Sequence, residues 1–259
     1  TSATSIAENA GSSLTLTATI SQVADEDVTV NLGAAGTSTN GTDYGSLSSI
    51  TVAAGATTGT ANFTPTDDSV YEGNETAVIS ISSVSGADAA ESGSQSVTIT
   101  ITENDSSPTI TLATSATSIA ENAGTSLTLT ATSSIAADED ITVTISTSGT
   151  GTEGTDYSTI SDITISAGAT TGTVSFTPTD DTVYEGNETA IVAIDGVSGA
   201  DAQELFVQSV TITITENDSA PTVTLTSSAS SIVENAGSSL TLPATLSNAT
   251  TADVTVGIS

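Results

Sequence analysis

The sequence predicts an all-β protein of tandem antiparallel sandwiches with immunoglobulin-like design, and three observations carry that reading. The first is alternation of apolar with small polar residues, through SLTLTATI from Ser13, DVTVNL from Asp27, SSITVA from Ser48, GTANFT from Gly59, TAVISI from Thr76 and QSVTITIT from Gln95. Period two marks half-buried strands, and no stretch carries helical periodicity. The second is punctuation: the segment from Gly33 to Gly45, AAGATTG from Ala53 and SGADAAESGS from Ser85 separate the runs with turn formers. PTITLATSATSIA from Pro108 reads as the first strand of the next unit. That makes about seven strands per unit, as in an immunoglobulin-like sandwich.

The third observation is repetition. SIAENAG occurs at Ser5 and Ser118, FTPTDDSVYEGNETA at Phe63 returns as FTPTDDTVYEGNETA at Phe176, and TITENDS at Thr100 returns at Thr213. Glu8 and Glu121, Asp67 and Asp180, and Asp105 and Asp218 are each 113 residues apart. SIVENAG opens a third copy, with Glu234 again 113 beyond Glu121. The expected units are residues 1–107, with a truncated first strand, residues 108–220, complete, and residues 221–259, partial. A unit of this size can bury its own core, unlike a short solenoid repeat. The array begins inside one copy without methionine and stops inside another, which predicts a longer native protein.

Composition narrows the function. The chain has 31 aspartates and glutamates and no lysine, arginine or histidine. No carboxylate can be neutralised by a side chain of the same chain. Two carboxylates ~4 Å apart repel by roughly 4 kcal/mol at an effective dielectric near 20. A cluster of acids here therefore calls for a cation from solution. With each strand reversing direction and labelled A to G, the AB, CD and EF turns and the exit of G share one pole. That places Glu8, Asp43, Asp67, Asp68, Glu72, Glu75, Glu103 and Asp105 together in the first copy. The second copy gathers Glu121, Asp156, Asp180, Asp181, Glu185, Glu188, Glu216 and Asp218, and Glu234 begins a third set. Oxygen-only sites of this size suit calcium, which takes about six to eight oxygens in tolerant geometry, better than magnesium. Zinc and copper are disfavoured without histidine or cysteine. Two to four calcium ions per pole is the expected load.

These residues also carry a family resemblance. The Glu-Asn pair near the start, Asp43-Tyr44, the acids from Asp67 to Glu75 and the closing Ile101 to Asp105 resemble the Calx-beta domain over both complete copies. The resemblance implies a calcium-binding β-sandwich of the kind found in sodium/calcium exchangers, an integrin subunit and long bacterial surface proteins. It implies ligands at Glu8, Asp43, Asp67, Asp68, Glu72, Glu103 and Asp105, with Glu75 a ligand or a support. Glu103 and Asn104 depart from the aspartates common in the family, which would weaken or reposition one ion.

Other features have blander readings. Asp25, Glu26 and Asp27, at the opposite pole, read as solubilising charge. Tyr44, Phe63 and Tyr71 read as core or loop anchors. Asn62 and Asn74 sit in short glycosylation-like patterns, idle in a bacterial setting. Leu205, Phe206 and Val207 replace the polar tip of the first copy and read either as strand extended into the core or as a candidate interface. General bases, nucleophiles and phosphate clamps normally draw on residue types this chain lacks, so no enzyme is expected. A net charge of −31 disfavours nucleic acid. No run is long enough for membrane insertion. The expected role is a calcium-stiffened extracellular stalk, fibre or filament on a bacterial cell surface, free of trypsin-type cleavage sites. Its partners would be neighbouring repeats, with homotypic filament or lateral assembly. A calcium-sensing regulatory module of a transporter, or an adhesive domain of a surface adhesin, are the alternatives.

Overall fold

A computed structural model of the chain describes residues 1–235 and 237–259. The first copy contains β1 (Ser5–Ala7), β2 (Leu14–Thr19), β3 (Val28–Gly36), β4 (Ile50–Val52), β5 (Thr58–Phe63), β6 (Val70–Tyr71), β7 (Glu75–Ser85) and β8 (Ser96–Thr102). The second contains β9 (Thr109–Thr114), β10 (Ser118–Ala120), β11 (Leu127–Ser133), β12 (Ala136–Ala137), β13 (Ile141–Gly149) and β14 (Ile163–Ile165). It continues through β15 (Thr171–Phe176), β16 (Glu188–Ser198), β17 (Gln203–Glu204) and β18 (Ser209–Thr215). The third copy supplies β19 (Val223–Leu225) and β20 (Ala244–Leu246). The described residues contain no helix.

In each of the first two copies a five-stranded sheet carries the chain back and forth: β1-β8-β7-β3-β4 and β10-β18-β16-β13-β14. The facing sheet is β15-β11-β9-β17 in the second copy and β2-β5 in the first. Alternation translates directly into burial. Along β5 the residues from Thr58 alternate exposed and buried, so Gly59, Ala61 and Phe63 face inward. Each copy has its own core, one around Val28, Ile50, Val52, Phe63 and Ile99, the other around Ile110, Leu129, Ile141, Ile163 and Ile212. Fully burying such an aliphatic side chain is worth about 1.5–3 kcal/mol, which drives the two sheets together.

One sequence expectation changes. PTITLATSATSIA is not a single strand: β9 pairs antiparallel with β11 in one sheet, and β10 pairs parallel with β18 in the other. The chain crosses between layers at Ser115–Thr117, in a run of small residues across which the inward parity shifts from Ile110 and Leu112 to Ile119. The parallel pairing of β10 with β18, and of β1 with β8, is what the strand-reversal argument requires of the first and last strands.

Candidate metal centre

The EF segment owes its path to its own polar residues. Asp68 accepts a hydrogen bond at Oδ1 from Val70 N–H at 2.7 Å, a local turn that an aspartate makes without help. Gly73 has φ +70°, a left-handed conformation that suits glycine. It turns two successive N–H groups, those of Glu72 and Gly73, onto Glu103 Oε2 at 2.7 and 3.0 Å. Glu103 Oε1 in turn accepts from the N–H groups of Asn104 and Asp105 at 2.7 and 2.8 Å, while Glu103 N–H donates to Asn74 Oδ1 at 3.0 Å. Glu8 Oε1 accepts from Asp68 N–H at 3.1 Å, which ties the AB turn to the EF segment. Asp43 is held by Thr39 N–H, and its own carbonyl accepts from Thr66 N–H at 2.9 Å. Beneath it, Tyr44 stacks on Phe63 with ring centroids 4.6 Å apart, so both are the buried anchors expected.

The same wiring recurs at the second pole. Glu121 accepts from Asp181 N–H, Glu216 Oε2 from Glu185 and Gly186 N–H, and Glu216 Oε1 from Asp218 N–H. Asp43, Glu72 and Glu75 each present one oxygen within 4.8 Å of the others. So do Asp156, Glu185 and Glu188, then Glu121, Asp181 and Glu185, and then Glu121, Glu216 and Asp218. Asp67 and Asp180 act electrostatically on Asp105 and Asp218, which places them beside the same clusters. Glu234 is exposed, and no acidic group among the described residues gathers around it.

The acids carry the electrostatic signature of uncompensated crowding. Burial first, then neighbouring acids, push the Glu8 and Glu72 carboxyls up to about 7, and Glu75 up to about 8. The same causes in the second copy bring Glu121 and Glu188 up to about 7. Glu103 and Glu216 behave in the opposite sense. Burial raises them, but the backbone N–H groups aimed at each together outweigh it and hold both below the ordinary value. Glu103 therefore braces two backbone segments with both oxygens, which explains a longer side chain where the family resemblance led us to expect a shorter one. Glu75 Oε2, Asp105 Oδ2 and Asp218 Oδ2 are buried and accept no hydrogen bond. Leaving buried carboxylate oxygens unpaired is costly. In a chain without cationic side chains, a multivalent cation is the partner that fits them. All-oxygen ligation of this density matches calcium.

Sequence reasoning missed the other half of the site's surroundings. β6 pairs parallel with β12 of the following copy, Val70 opposite Ala136 and Tyr71 opposite Ala137, and Asp138 N–H donates to Tyr71 C=O at 3.2 Å. Tyr71 anchors across the joint: it packs against the core of the second copy, and its hydroxyl donates to Asp201 Oδ2 there at 2.9 Å. Asp138 thus stands next to the first acidic pole, and its charge reaches Glu72 and Glu75. The signal was available. Only Ser106 and Ser107 separate the acidic pole from the next first strand, so the Asp138 to Asp140 triplet has to approach that pole. The joint recurs further on, where Tyr184 N–H donates to Ala249 C=O at 3.0 Å, with Thr251 at the Asp138 position. Leu205, Phe206 and Val207 do not enter the core. Phe206 is 83% and Val207 90% exposed, so the buried-strand reading is overturned. Asn74 and Asn187 each receive a backbone N–H inside the site.

Comparison with known proteins agrees with this geometry. Residues 103–219 match the family model of the Calx-beta domain, and residues 1–106 that of the LapA domain. A comparison with curated protein sequences gives no match. Among solved structures, the calcium-binding domain pair CBD12 of CALX1.1 is similar at 12% identity and a TM-score of 0.35, over 80% of this chain and 95% of that one. The apo-form Calx CBD1 domain gives 18% and 0.37 over 42% of this chain and 99% of its own. Invasin, a bacterial integrin-binding protein, gives 20% and 0.38 over 91% and 43%. At these identities and TM-scores the three structures carry no functional argument.

Proposed function

We propose, from the match of residues 103–219 to the Calx-beta family model and from the geometry of the poles, that the chain is a calcium-binding structural repeat of an extracellular bacterial stalk, in which the ions stiffen the joints between sandwiches. The reading rests on one observation above the others. Buried carboxylate oxygens without partners, at Glu75, Asp105 and Asp218, recur at the two poles of a chain that has no cationic side chain. The residues to hold calcium are Glu8, Asp43, Asp67, Asp68, Glu72, Glu75 and Asp105, and Glu121, Asp156, Asp180, Asp181, Glu185, Glu188 and Asp218. Glu103 and Glu216 hold the backbone in place for them and complete the charge.

Calcium supplies what the chain lacks, a positive centre that turns mutual repulsion into shared ligation. Both joints are close to the clusters, because β6 and the equivalent segment at Tyr184 run from the acidic loop into a backbone contact with the next copy. Charge balance at the pole and backbone pairing at the joint therefore involve the same loop. A binding role suits this arrangement better than catalysis, since every group at the pole is a carboxylate and none is a nucleophile or base of another type. No helix among the described residues is long and apolar enough to cross a membrane.

Small-angle scattering with calcium and with chelator tests the mechanical role. An elongated, narrow distribution of dimensions in calcium should broaden in chelator. Identical profiles would remove the stiffening role. Calorimetric titration on the same sample would show separately whether calcium binds.

A further inference from the structure

One turn of the second copy departs from its counterpart in the first while keeping the same frame. Gln208 N–H donates to Glu204 Oε1 and Gln208 Nε2 to Leu205 C=O, as Gln95 N–H donates to Glu91 Oε1 at 2.6 Å and Gln95 Nε2 to Ser92 C=O at 2.8 Å. Leu205 N–H also donates to Ile110 C=O at 2.9 Å, so β9 anchors the base of the turn. Between the shared glutamate and glutamine, Ser92, Gly93 and Ser94 of the first copy become Leu205, Phe206 and Val207 of the second, each 113 residues on.

The exchange opposes the backbone. Gly93 has φ +71°, a left-handed conformation that glycine takes freely, and Phe206 holds nearly the same angle, +58°. A Cβ in that region crowds the following carbonyl oxygen, so Phe206 strains the turn where glycine does not. Burial does not offset the strain, because Phe206 is 83% and Val207 90% exposed. Packing therefore gives no account of an aromatic residue at this position. Strain held by a rigid frame at an exposed site points to function.

Size, shape and charge select the occupant. Among the described residues of the second copy, the exposed large apolar side chains are Leu205, Phe206 and Val207 and no others. The outward positions of the adjoining sheet are hydroxyls, with Thr130 facing Thr173 and Thr132 facing both Thr171 and Thr111. A stable protein interface needs about 800 Å² on each side, far beyond a three-residue tip backed by a hydroxyl-covered sheet. A lipid surface needs no matching pocket, since the gain follows the apolar area removed from water. A convex turn with an aromatic side chain at its apex suits the boundary between headgroups and acyl chains. Charge narrows the lipid. Asp195 is exposed where the first copy has Ser82, and it follows Ile194, whose N–H donates to Gln208 C=O at 3.1 Å. With Glu204 it sets acids beside the tip, and the chain has no cationic side chain to attract an anionic headgroup.

We infer that this turn is a membrane-contacting tip, which inserts Phe206 and Val207 into the surface of a zwitterionic bilayer with Leu205 at the water boundary. The frame is pinned before contact, so insertion orders little that was mobile. Contact of this kind is peripheral and leaves the rest of the chain in water. The tip follows Asp201, at the end of the second copy that meets the first, away from the second copy's own carboxylate clusters. It uses burial of apolar area rather than ion ligation, and stands apart from the calcium reading.

Flotation of the full chain with phosphatidylcholine vesicles, in millimolar calcium and ~0.15 M salt, should carry protein into the lipid fraction. Restoring the turn of the first copy, by Leu205→Ser, Phe206→Gly and Val207→Ser together, should weaken partitioning by at least about tenfold. The same variant should melt no lower than wild type, because glycine relieves the strain, and should bind calcium unchanged in titration calorimetry. The chain has no tryptophan, so Phe206→Trp places a single indole at the apex, and its emission should shift to the blue as vesicles are added. In chelator, vesicles containing phosphatidylserine should bind less than neutral ones, since like charges repel. A wild-type chain that stays in the aqueous fraction at every lipid concentration overturns the inference. So does a triple variant that floats as well as wild type, an indole emission that does not move, or stronger flotation with phosphatidylserine in chelator. Oligomers in sedimentation velocity without lipid that the triple variant abolishes would assign the tip to a second copy of the chain, and overturn it as well.

Discussion

Glu75→Gln should change the stability of the first copy in opposite directions with and without calcium. Asp43, Glu72 and Glu75 bring one oxygen each within 4.8 Å of the others. At an effective dielectric of 20, each fully ionised pair at that distance costs about 3.5 kcal/mol, and three pairs cost about 10. That rivals the whole stability of a domain, about 5–15 kcal/mol. Part of the cluster must therefore stay protonated without calcium, in line with Glu75 held up at about 8. Glutamine keeps the shape and removes two of the three repulsive pairs. After allowance for protonation and solvent screening, a gain of about 1–3 kcal/mol is expected in chelator above pH 8. With calcium the sign reverses. The wild-type pole gains about 4 kcal/mol at a thousandfold excess over Kd, and a variant that binds about a thousandfold more weakly for want of one charged ligand forgoes almost all of it, more than it gains in chelator. A change of 1 kcal/mol moves the midpoint of a domain this size by roughly 4–8 °C. Differential scanning calorimetry of both proteins in chelator and in millimolar calcium reads the crossing. A variant less stable in both conditions, or more stable in both, would refute the reasoning.

Millimolar calcium should raise the melting midpoint well beyond sodium of equal ionic strength, since screening over about 8 Å leaves contacts inside the clusters largely untouched; equal melting in the two salts would reduce the poles to solvated charge. Asp181→Asn and Asp138→Asn should each weaken calcium binding in titration calorimetry, the first at its own pole and the second across the joint, whereas Asp25→Asn, at the end of the first copy opposite its acidic pole, should not. Between about pH 4.5 and 8 the calcium-free folded chain binds more protons than the unfolded one, because Glu8, Glu72 and Glu75 are raised to about 7, 7 and 8. The stability these three groups contribute is therefore full below pH 4.5 and falls as pH rises through that window, measurable as a declining midpoint in chelator, with calcium flattening the slope. Tyr71→Phe removes the hydroxyl that reaches Asp201 and should loosen the first joint in limited proteolysis or scattering, at a cost of about 0.5–1.5 kcal/mol, without moving the melting of either copy.

Strand positions and the acidic pole were legible because both follow from periodicity. A residue's face in a strand depends on parity alone, so Phe63, Ile99 and Ile141 could be assigned inward without coordinates. Strand reversal likewise assigns each loop to an end, and eight acids per copy fell at one end. Periodicity is silent on where, among the small residues between Leu112 and Ile119, the backbone changes layer, and records only that the inward parity shifts between them. It is equally silent about whether an acid is a free ligand or a brace. Glu103 and Glu75 read alike in sequence, yet one receives four N–H groups and the other has a buried oxygen that receives none.

The sequence by itself determined the fold class, the 113-residue period, the shared pole and the lack of any cationic side chain to balance it, because each rests on composition or spacing. The tertiary structure decided which surfaces meet. Tyr71, Asp138 and Asp201 are far from one another in the chain, and their meeting depends on how one sandwich sits on the next. Local pattern encodes the face a side chain takes within its own sheet. Contact between domains depends on three-dimensional complementarity, which a linear pattern does not record.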